Sequence, residues 1–419
     1  MVSPSKMEHM PMREDLGIEL RQLGDEDRET FARMMRYAFS STKNTYEDAL
    51  EENWKETQPF LKDMSQCYGC FEKGTLVSVS AFFESTLVVR KKEFPFGGIW
   101  GVATSPNYRN RGLIRQLFDK MLEEMYLRKI PFSVLYPFKF SYYEQFGFKL
   151  ANEIFRYHIE LKDIISRPID NRIVREVFSL EDIKRVYEKI TREFYNYMVK
   201  RTDDDWRRRI NPKEPGYFFI CYDEDETPKG YMVVRFQERG DPDFQESEQT
   251  IYLAEIFWVD RETRQALFNF LKAHADHRKY VLFGSPDHDI MSYVSNPRVK
   301  QTDIFAGSMI RIIDVETVLQ AFSYPNIGDE SLILQIQDPN CKWNEKSISL
   351  CLENEKVTIS ETSQPADVKV EIGALSQMVV GYRTASQLHN SWDIECSQDM
   401  LAMLDQLFPR QNNFMRDFF

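Results

Sequence analysis

The apolar positions of this chain change period several times, and each change marks an element. In "DEDRETFARMMRYAF", Phe31, Met34, Met35 and Ala38 recur at helical spacing, which predicts an amphipathic helix. "CYGCFEKGTLVSVSAFFESTLVVRKKEFPFGGIWGVAT" reads as successive strands, with breaks expected at Lys73-Gly74 and at Pro95–Gly98. "RGLIRQLFDKMLEEMYLRKI" returns to helical spacing through Leu113, Leu117, Met121, Leu122 and Met125. "PFSVLYPF" is another strand, and the aromatic-rich "SYYEQFGFKL" comes after it. Residues 1–155 are therefore expected to form an α/β domain on a mostly mixed sheet.

Beyond Ile173 the order repeats. "SLEDIKRVYEKITREF" predicts a helix, "GYFFICYDEDETPKGYMVVRFQE" a hairpin turning at Pro228–Gly230, and "YLAEIFWVD", "RETRQALFNFLKAHADH" and "KYVLFG" a strand, helix and strand. Placed beside "GIWGVATSPNYRNRGLIRQLFDKML", the run "EIFWVDRETRQALFNFLKAH" has the same strand–loop–helix order. It lacks the glycine and the interleaved arginines of the loop. A repeat of domain size points to duplication with one degenerate copy, here over residues 156–300. Residues 301–419 change character. "SMIRIIDVETVLQAF" predicts a strand and a helix, and "LILQIQDPNCKWNEKSISLCLENEKVTISET" alternates through three strands. Helices are expected around Ala374–Val380 and Met400–Phe408. The fold class is thus α/β (α+β) in three domains.

At 419 residues the chain exceeds what one core organises, and 42% hydrophobic with 14% aromatic residues can fill several. A net charge of −12 argues against a nucleic-acid partner and suits cationic small molecules. The six cysteines are scattered; Cys67 and Cys70 are close, but no second such pair is present, so they read as strand residues. No stretch reaches ~20 apolar residues, and "MVSPSKMEHM" lacks the apolar core of a signal peptide. A cytoplasmic protein with reduced thiols and no membrane partner is expected. His274 and His277 stand three apart without a third ligand, so no metal is expected. The runs "DEDETP" and "DDDWRRR" read as exposed turns and helix ends, and "SPDHD" at 285–289 has no assigned role.

The run with chemistry in it is "VATSPNYRNRGLIRQ". Val102, Ala103 and Thr104 end a strand, Pro106 and Asn107 turn the chain, and Gly112 opens a long helix. Backbone N–H groups at a helix start, with the dipole behind them, suit a pyrophosphate. Glycine lets the backbone approach phosphates closely, and Arg109, Arg111 and Arg115 add positive charge. Taken alone, the run also fits an ordinary strand-to-helix loop with a solvated basic edge.

Arg109-x-x-Gly112-x-Ile114 after an apolar strand resembles the acetyl-CoA loop of the GCN5-related N-acetyltransferases (GNAT). The usual pattern has glycine or alanine at Ile114; a bulky aliphatic there resembles the Eis-like (enhanced intracellular survival) branch. Tyr143-Glu-Gln-Phe146-Gly147-Phe148 resembles a segment of the same branch, and "VTISETSQPADVKVEIGALSQMVVGYRTASQL" resembles its sterol-carrier-like module. The resemblance implies an active GNAT domain, a degenerate second one and a sterol-carrier-like third. It implies that Val102, Ala103, Thr104, Arg109, Asn110, Arg111, Gly112, Leu113, Ile114 and Arg115 hold acetyl-CoA, the loop amides on the pyrophosphate and the strand on the thioester arm.

Acetyl transfer needs the amine as free base, yet an alkyl amine is mostly ammonium at pH 7, and the leaving thiolate calls for a proton. The resemblance implies Tyr143 as the acid, with Tyr142 its immediate neighbour, and the C-terminal carboxylate of Phe419 as the base. A carboxylate of pKa near ~3.5 becomes a better base in apolar surroundings, which Phe418 and Phe419 would supply. The alternative for these two phenylalanines is an apolar plug at a domain interface. The implied substrates are amines of polycationic molecules, aminoglycosides or polyamines, although Phe418 stands where an acid could grip a second ammonium, with Asp417 one position further back. A protein or peptide lysine is an alternative target, and a non-catalytic CoA- or lipid-binding protein an alternative function. The resemblance also implies a homo-oligomer, hexameric in many relatives.

Overall fold

The computed structural model describes residues 17–39, 64–210, 216–235, 250–299, 301–326, 330–353 and 356–417. They form two compact units, one from residues up to Phe83 with Ile99–Met121, the other from Glu84–Gly98 and Leu122 onward. The first unit opens with β1 (Ile18–Gln22) and α1 (Arg28–Phe39), then β2 (Cys67–Glu72) and parts of two long strands, β3 (Thr75–Val89) and β4 (Lys92–Thr104). Its strands lie in the order β1-β2-β3-β4, with β1 and β3 antiparallel to β2. It ends in the first turns of α2 (Leu113–Leu127). Phe31, Met34 and Met35 of α1 pack with Cys67, Phe71, Leu76, Val79 and Ala103, as the helical spacing requires.

The second unit contains the outer halves of β3 and β4, then β5 (Phe132–Leu135), α3 (Phe140–Glu144) and β6 (Lys149–Leu150). Its second sheet draws on β7 (Glu153–Glu160) and β8 (Ile173–Glu176), followed by α4 (Leu180–Glu193), β9 (Met198–Val199) and α5 (Asp203–Arg209). Then come β10 (Tyr217–Tyr222), β11 (Pro228–Arg235), β12 (Thr250–Trp258), α6 (Arg261–Lys272), β13 (Tyr280–Ser285), β14 (Gln301–Ala306) and β15 (Met309–Ile312). This sheet runs β14-β7-β13-β12-β11-β10-β8 and is mixed, with β12 and β13 parallel. It is apolar on both faces: α6 covers the side of Met232 and Val234, and α4 the side of Tyr231 and Val233. The third domain adds α7 (Val315–Ala321), β16 (Glu330–Gln337), β17 (Ser347–Glu353), β18 (Lys356–Glu361), β19 (Val368–Glu371), α8 (Ile372–Val379), α9 (Ala385–Asn390), β20 (Ile394–Glu395) and α10 (Gln398–Leu407). Its sheet order is β18-β17-β16-β19-β20.

Three expectations shift. The expected break at Pro95–Gly98 lies inside β4, and the turn is Arg90-Lys91, both with left-handed φ (49° and 64°). Such a turn prefers Asn-Gly. Here Arg90 donates to Leu407 O (2.7 Å) and lies over the Phe322 and Phe408 rings, contacts that offset the backbone cost. Gly97 is needed for space instead: a Cβ there would come within 2.5 Å of Met125 Cε. In the later hairpin the turn is Asp223–Thr227, closed by Asp223 Oδ1 accepting the N–H of Thr227 (2.8 Å), while Pro228–Gly230 already belongs to β11. Finally, β14 and β15, expected in the C-terminal module, belong to earlier sheets. β14 pairs with β7, and β15 inserts between β5 and β6.

Candidate functional site

In the first unit, β4 carries Ala103 into the core and leaves Val102 and Thr104 half-buried on the opposite face. Ser78 Oγ donates to Ala103 O (3.1 Å), so the 2.7 Å contact with Thr104 has the threonine hydroxyl as donor. The loop beyond is braced from β2. Tyr108 donates to Glu72 (2.9 Å), and Arg111 lies over the Tyr108 ring and donates to Asn107 O (3.0 Å). Asn110 and Gly112 take left-handed φ, 61° and 76°, which bends the chain into α2. Arg109 and Arg115 are exposed. Gly112 O accepts from Gln116 N (3.2 Å), making the glycine the N-cap. The N–H groups of Leu113 and Ile114 therefore have no intrahelical acceptor, and the glycine brings no side chain to cap them. Nothing lies within 4 Å of where a Gly112 Cβ would be. This is an accessible, positively flanked helix start, and its donor set fits a pyrophosphate. Cys70 has its Sγ 3.9 Å from Leu113 O, and burial pushes its thiol up to about 12, so it stays protonated.

The matching helix start in the second repeat is built differently. Its helix α6 starts behind Asp260, whose Oδ1 accepts the N–H of Thr263 (2.7 Å). Arg172 holds the other oxygen at 2.9 Å. A carboxylate thus takes one of the N–H groups of this helix start, where Gly112 offers no side chain, and its charge disfavours phosphate. The difference is more than a missing glycine, because this helix start is capped by a side chain.

In the second unit Tyr143 sits on the short helix α3 and is almost wholly buried, edge-on to Phe138 (5.5 Å) and to Tyr142 (5.2 Å). Burial first, then Tyr142, holds its phenol well above the usual range, so it keeps its proton at neutral pH. Phe146 N and Phe148 N both bond back to Tyr143 O (3.0 and 3.3 Å). Gly147 closes that turn at φ 79°, and a Cβ there would collide with Arg311 and Ile372. Arg311 donates to Phe146 O and, at 2.6 and 2.7 Å, to both oxygens of Asp338 between β16 and β17; the pair is fully buried.

The same unit holds the end of the described chain. Phe419, the expected base, and Phe418 lie outside the described residues. The segment before them is anchored at every step. Asn196 N donates to Asn412 O (2.9 Å) and accepts at its carbonyl from Phe414 N (2.8 Å), Asn152 Nδ2 donates to Met415 O (3.1 Å), and Arg209 donates to Arg416 O (2.7 Å). Tyr136, the residue after β5, donates to Asp417 O (3.3 Å). Burial of Phe414 and Met415 favours docking by about 2 kcal/mol each. Asp417 Oδ1 accepts from Arg201 Nε at 2.8 Å, with Arg209 at 3.3 Å and the Tyr187 hydroxyl at 3.2 Å from Oδ2. Arg201 also forks onto Glu255 at 2.5 and 3.1 Å, and lies over the rings of Tyr187 and Trp206. Burial works to raise the Asp417 carboxyl, but Arg201 and Arg209 prevail and hold it below the ordinary value.

Sequence patterning does not single out Arg201, Glu255, Arg311 or Asp338. Two of them carry a signal all the same: Glu255 and Arg311 each interrupt an apolar strand run, where a charge stays only with a partner. "DDDWRRR" reads as exposed; Asp204 and Arg207 are, but Trp206 is buried and Arg209 reaches the tail. Pro286, Asp287, His288 and Asp289 of "SPDHD" line a cleft of about 560 Å³ with Glu153, Arg264 and Tyr382. Its Asp287 accepts from Tyr195 (2.9 Å) and Asn412 (3.2 Å), and burial raises its pKa. No described helix is long and apolar enough to cross a membrane.

Comparison with known proteins matches three stretches of the chain. Residues 19–151 match an acetyltransferase (GNAT) domain model, residues 198–312 a second GNAT model, and residues 315–416 a sterol carrier protein domain. A Streptomyces avermitilis protein described as an "uncharacterized N-acetyltransferase" is 20% identical over 352 residues, 80% of this chain and 83% of that one. The fold is shared with a conserved Enterococcus faecalis V583 protein (TM-score 0.83, 22% identity, 96% of this chain and 100% of that one). It is also shared with Eis1 from Mycobacterium abscessus (TM-score 0.76, 20% identity, 96% and 100%).

Proposed function

Because the chain belongs to the GNAT acetyltransferases, as two such domains in tandem ahead of a sterol carrier protein domain, we propose that it acetylates amines of polycationic small molecules. In this reading Tyr143 is the acid and the carboxylate of Phe419 the base. The observation that carries the reading is the contrast between the two helix starts. The N–H groups of Leu113 and Ile114 behind Gly112 meet no capping side chain and are flanked by Arg109 and Arg115, whereas Asp260 accepts the Thr263 N–H at the matching helix start of the second copy. The contrast implies one acetyl-CoA site per chain, on the loop from Val102 to Arg115.

When bound, acetyl-CoA supplies an activated acyl carbon on a thiol leaving group. The residues do the rest. The Phe419 carboxylate takes the proton that the amine sheds as its nitrogen bonds to the acyl carbon. Tyr143 holds at its hydroxyl the proton that the departing sulfur needs, and burial keeps it there until then. Support for the tail comes from Tyr136: the residue that leaves β5 towards α3 and Tyr143 is bonded to Asp417, just before Phe418 and Phe419. The chain's negative charge favours cationic amines over acidic ones.

The test is thiol release from acetyl-CoA across a panel of polyamines and aminoglycosides, for the native chain and for one extended by two glycines. Turnover by the native chain that collapses on extension supports the terminal base. Equal turnover by both removes Phe419 from the mechanism, and acetyl-CoA binding without turnover of any amine sinks the small-molecule reading.

A further inference from the structure

The cleft beside the end of β13 has no part in the acetyl-transfer reading. At about 560 Å³ it is of the size that holds a small molecule. Its walls come from the chain after β13, the start of β7, the first turn of α6, Tyr382 after α8, and the segment Arg410–Asn413. Those walls are tied in place. Tyr157 donates to Asp287 O (2.8 Å), Gln411 N to Gly381 O (2.7 Å), and Asn413 Nδ2 to Ala151 O (2.8 Å). The His288 ring stands 3.9 Å from that of Phe155, which gives the cleft an aromatic side.

The charges of the cleft do not balance. Arg264 bonds both oxygens of Asp289 at 3.0 and 3.1 Å, and that pair is neutral. Glu153, Asp287 and Arg410 make no ion pair among the described residues, which leaves two carboxylates and one guanidinium without a counter-charge. The donors to Asp287 are both neutral, the Tyr195 hydroxyl at 2.9 Å and Asn412 Nδ2 at 3.2 Å. Glu153 adjoins the Tyr382 phenol. Arg410 lies over the Tyr382 ring, 6.0 Å from its centroid, and donates to Gln387 (3.3 Å). A half-buried carboxylate served only by neutral donors is costly to keep ionised, and burial raises the Asp287 pKa although Arg264 is near. A bound cation removes that cost.

We propose that this cleft is a binding site for a small molecule with two ammonium groups and one carboxylate, the charge pattern of a basic amino acid. Asp287 and Glu153 take the ammonium groups, and Arg410 takes the carboxylate. Phe155 and Tyr382 cover the aliphatic stem between them. Such a ligand matches the unpaired charges of the cleft one for one, which neither a diamine nor a neutral amino acid does. The site stands apart from the acetyl-transfer reading, since none of these residues is assigned to that reaction.

The test is calorimetric titration of the full chain with L-lysine near neutral pH, without acetyl-CoA. Lysine should bind with a Kd below about 1 mM and raise Tm by mass action. Cadaverine, which lacks the carboxylate, and norleucine, which lacks the distal ammonium, should each bind at least about tenfold more weakly. Asp287→Asn and Arg410→Gln should each weaken lysine at least about tenfold, and Arg410→Gln should leave cadaverine unchanged, because that ligand offers the guanidinium nothing to hold. Both variants are expected to fold: Arg410 is exposed, and Asp287→Asn removes a charge that burial disfavours. Tyr143→Phe should bind lysine as the native chain does, which separates the cleft from the transfer centre. Lysine binding weaker than about 1 mM, cadaverine or norleucine binding as tightly as lysine, or unchanged affinity in the two cleft variants overturns the proposal. So does affinity that is lost in Tyr143→Phe and kept in the cleft variants.

Discussion

Removing one side of the Arg311–Asp338 pair is the perturbation with the largest consequence for this fold. Both side chains have zero exposure, and one guanidinium nitrogen bonds both carboxylate oxygens at 2.6 and 2.7 Å. Asp338→Ala leaves a buried guanidinium with only Phe146 O, which costs about 3–5 kcal/mol. Arg311→Met should cost less, about 2–3 kcal/mol, because the carboxylate keeps Asn344 Nδ2 (3.0 Å) and the Cys341 N–H (3.1 Å) as donors. Arg311→Met with Asp338→Leu removes both charges, and its cost should fall at least about 2 kcal/mol short of the sum of the two single changes. Trp343, stacked on Tyr126 at 4.5 Å and bonded to Ile313 O, reports this region by fluorescence during urea unfolding. The single changes should also lower kcat more than they change KM, because Arg311 fixes the Phe146–Gly147 turn behind Tyr143. A cost below about 1 kcal/mol for Asp338→Ala, or strict additivity in the cycle, would refute the reasoning.

Gly112→Ala should raise KM for acetyl-CoA by about tenfold while costing about 1 kcal/mol of stability, since φ 76° disfavours a Cβ that otherwise meets nothing; steady-state kinetics and thermal unfolding check both halves. Gly97→Ala should destabilise by about 1–3 kcal/mol through collision with Met125, without a specific effect on KM. Asp417 has a lowered folded pKa, so its stabilising contribution is present above about pH 4 and is lost as pH falls through the folded value. The Tm gap between the native chain and Asp417→Asn should therefore be full at pH 7 and shrink below pH ~4. Asp287 is the opposite case: burial raises its pKa, so its ionisation weakens the fold as pH rises. Asp287→Asn should raise Tm at pH 8 and leave it near the native value at pH ~4.

Features set by short-range periodicity and backbone chemistry can be read from the residues alone. The helix from Leu113 is legible because Leu113, Leu117, Met121, Leu122 and Met125 line one face, and all are buried. The loop proposed to hold acetyl-CoA is legible because a strand end, a glycine N-cap and interleaved arginines are local features, and so is the presence of two GNAT domains. Tertiary structure decided what depends on partners distant in sequence. Arg90-Lys91 makes an unfavourable turn that only Leu407, Phe322 and Phe408 make tolerable. Gly97 looks like a turn residue until Met125 is beside it. β15 leaves the module its sequence adjoins because its edges pair with β5 and β6. The charges within apolar strands, Glu255 and Arg311, announce that partners exist, but Arg201, Asp417 and Asp338 are chosen by the fold. A pattern of period two or 3.6 encodes which face is buried, whereas the identity of what covers that face is a property of the assembled chain.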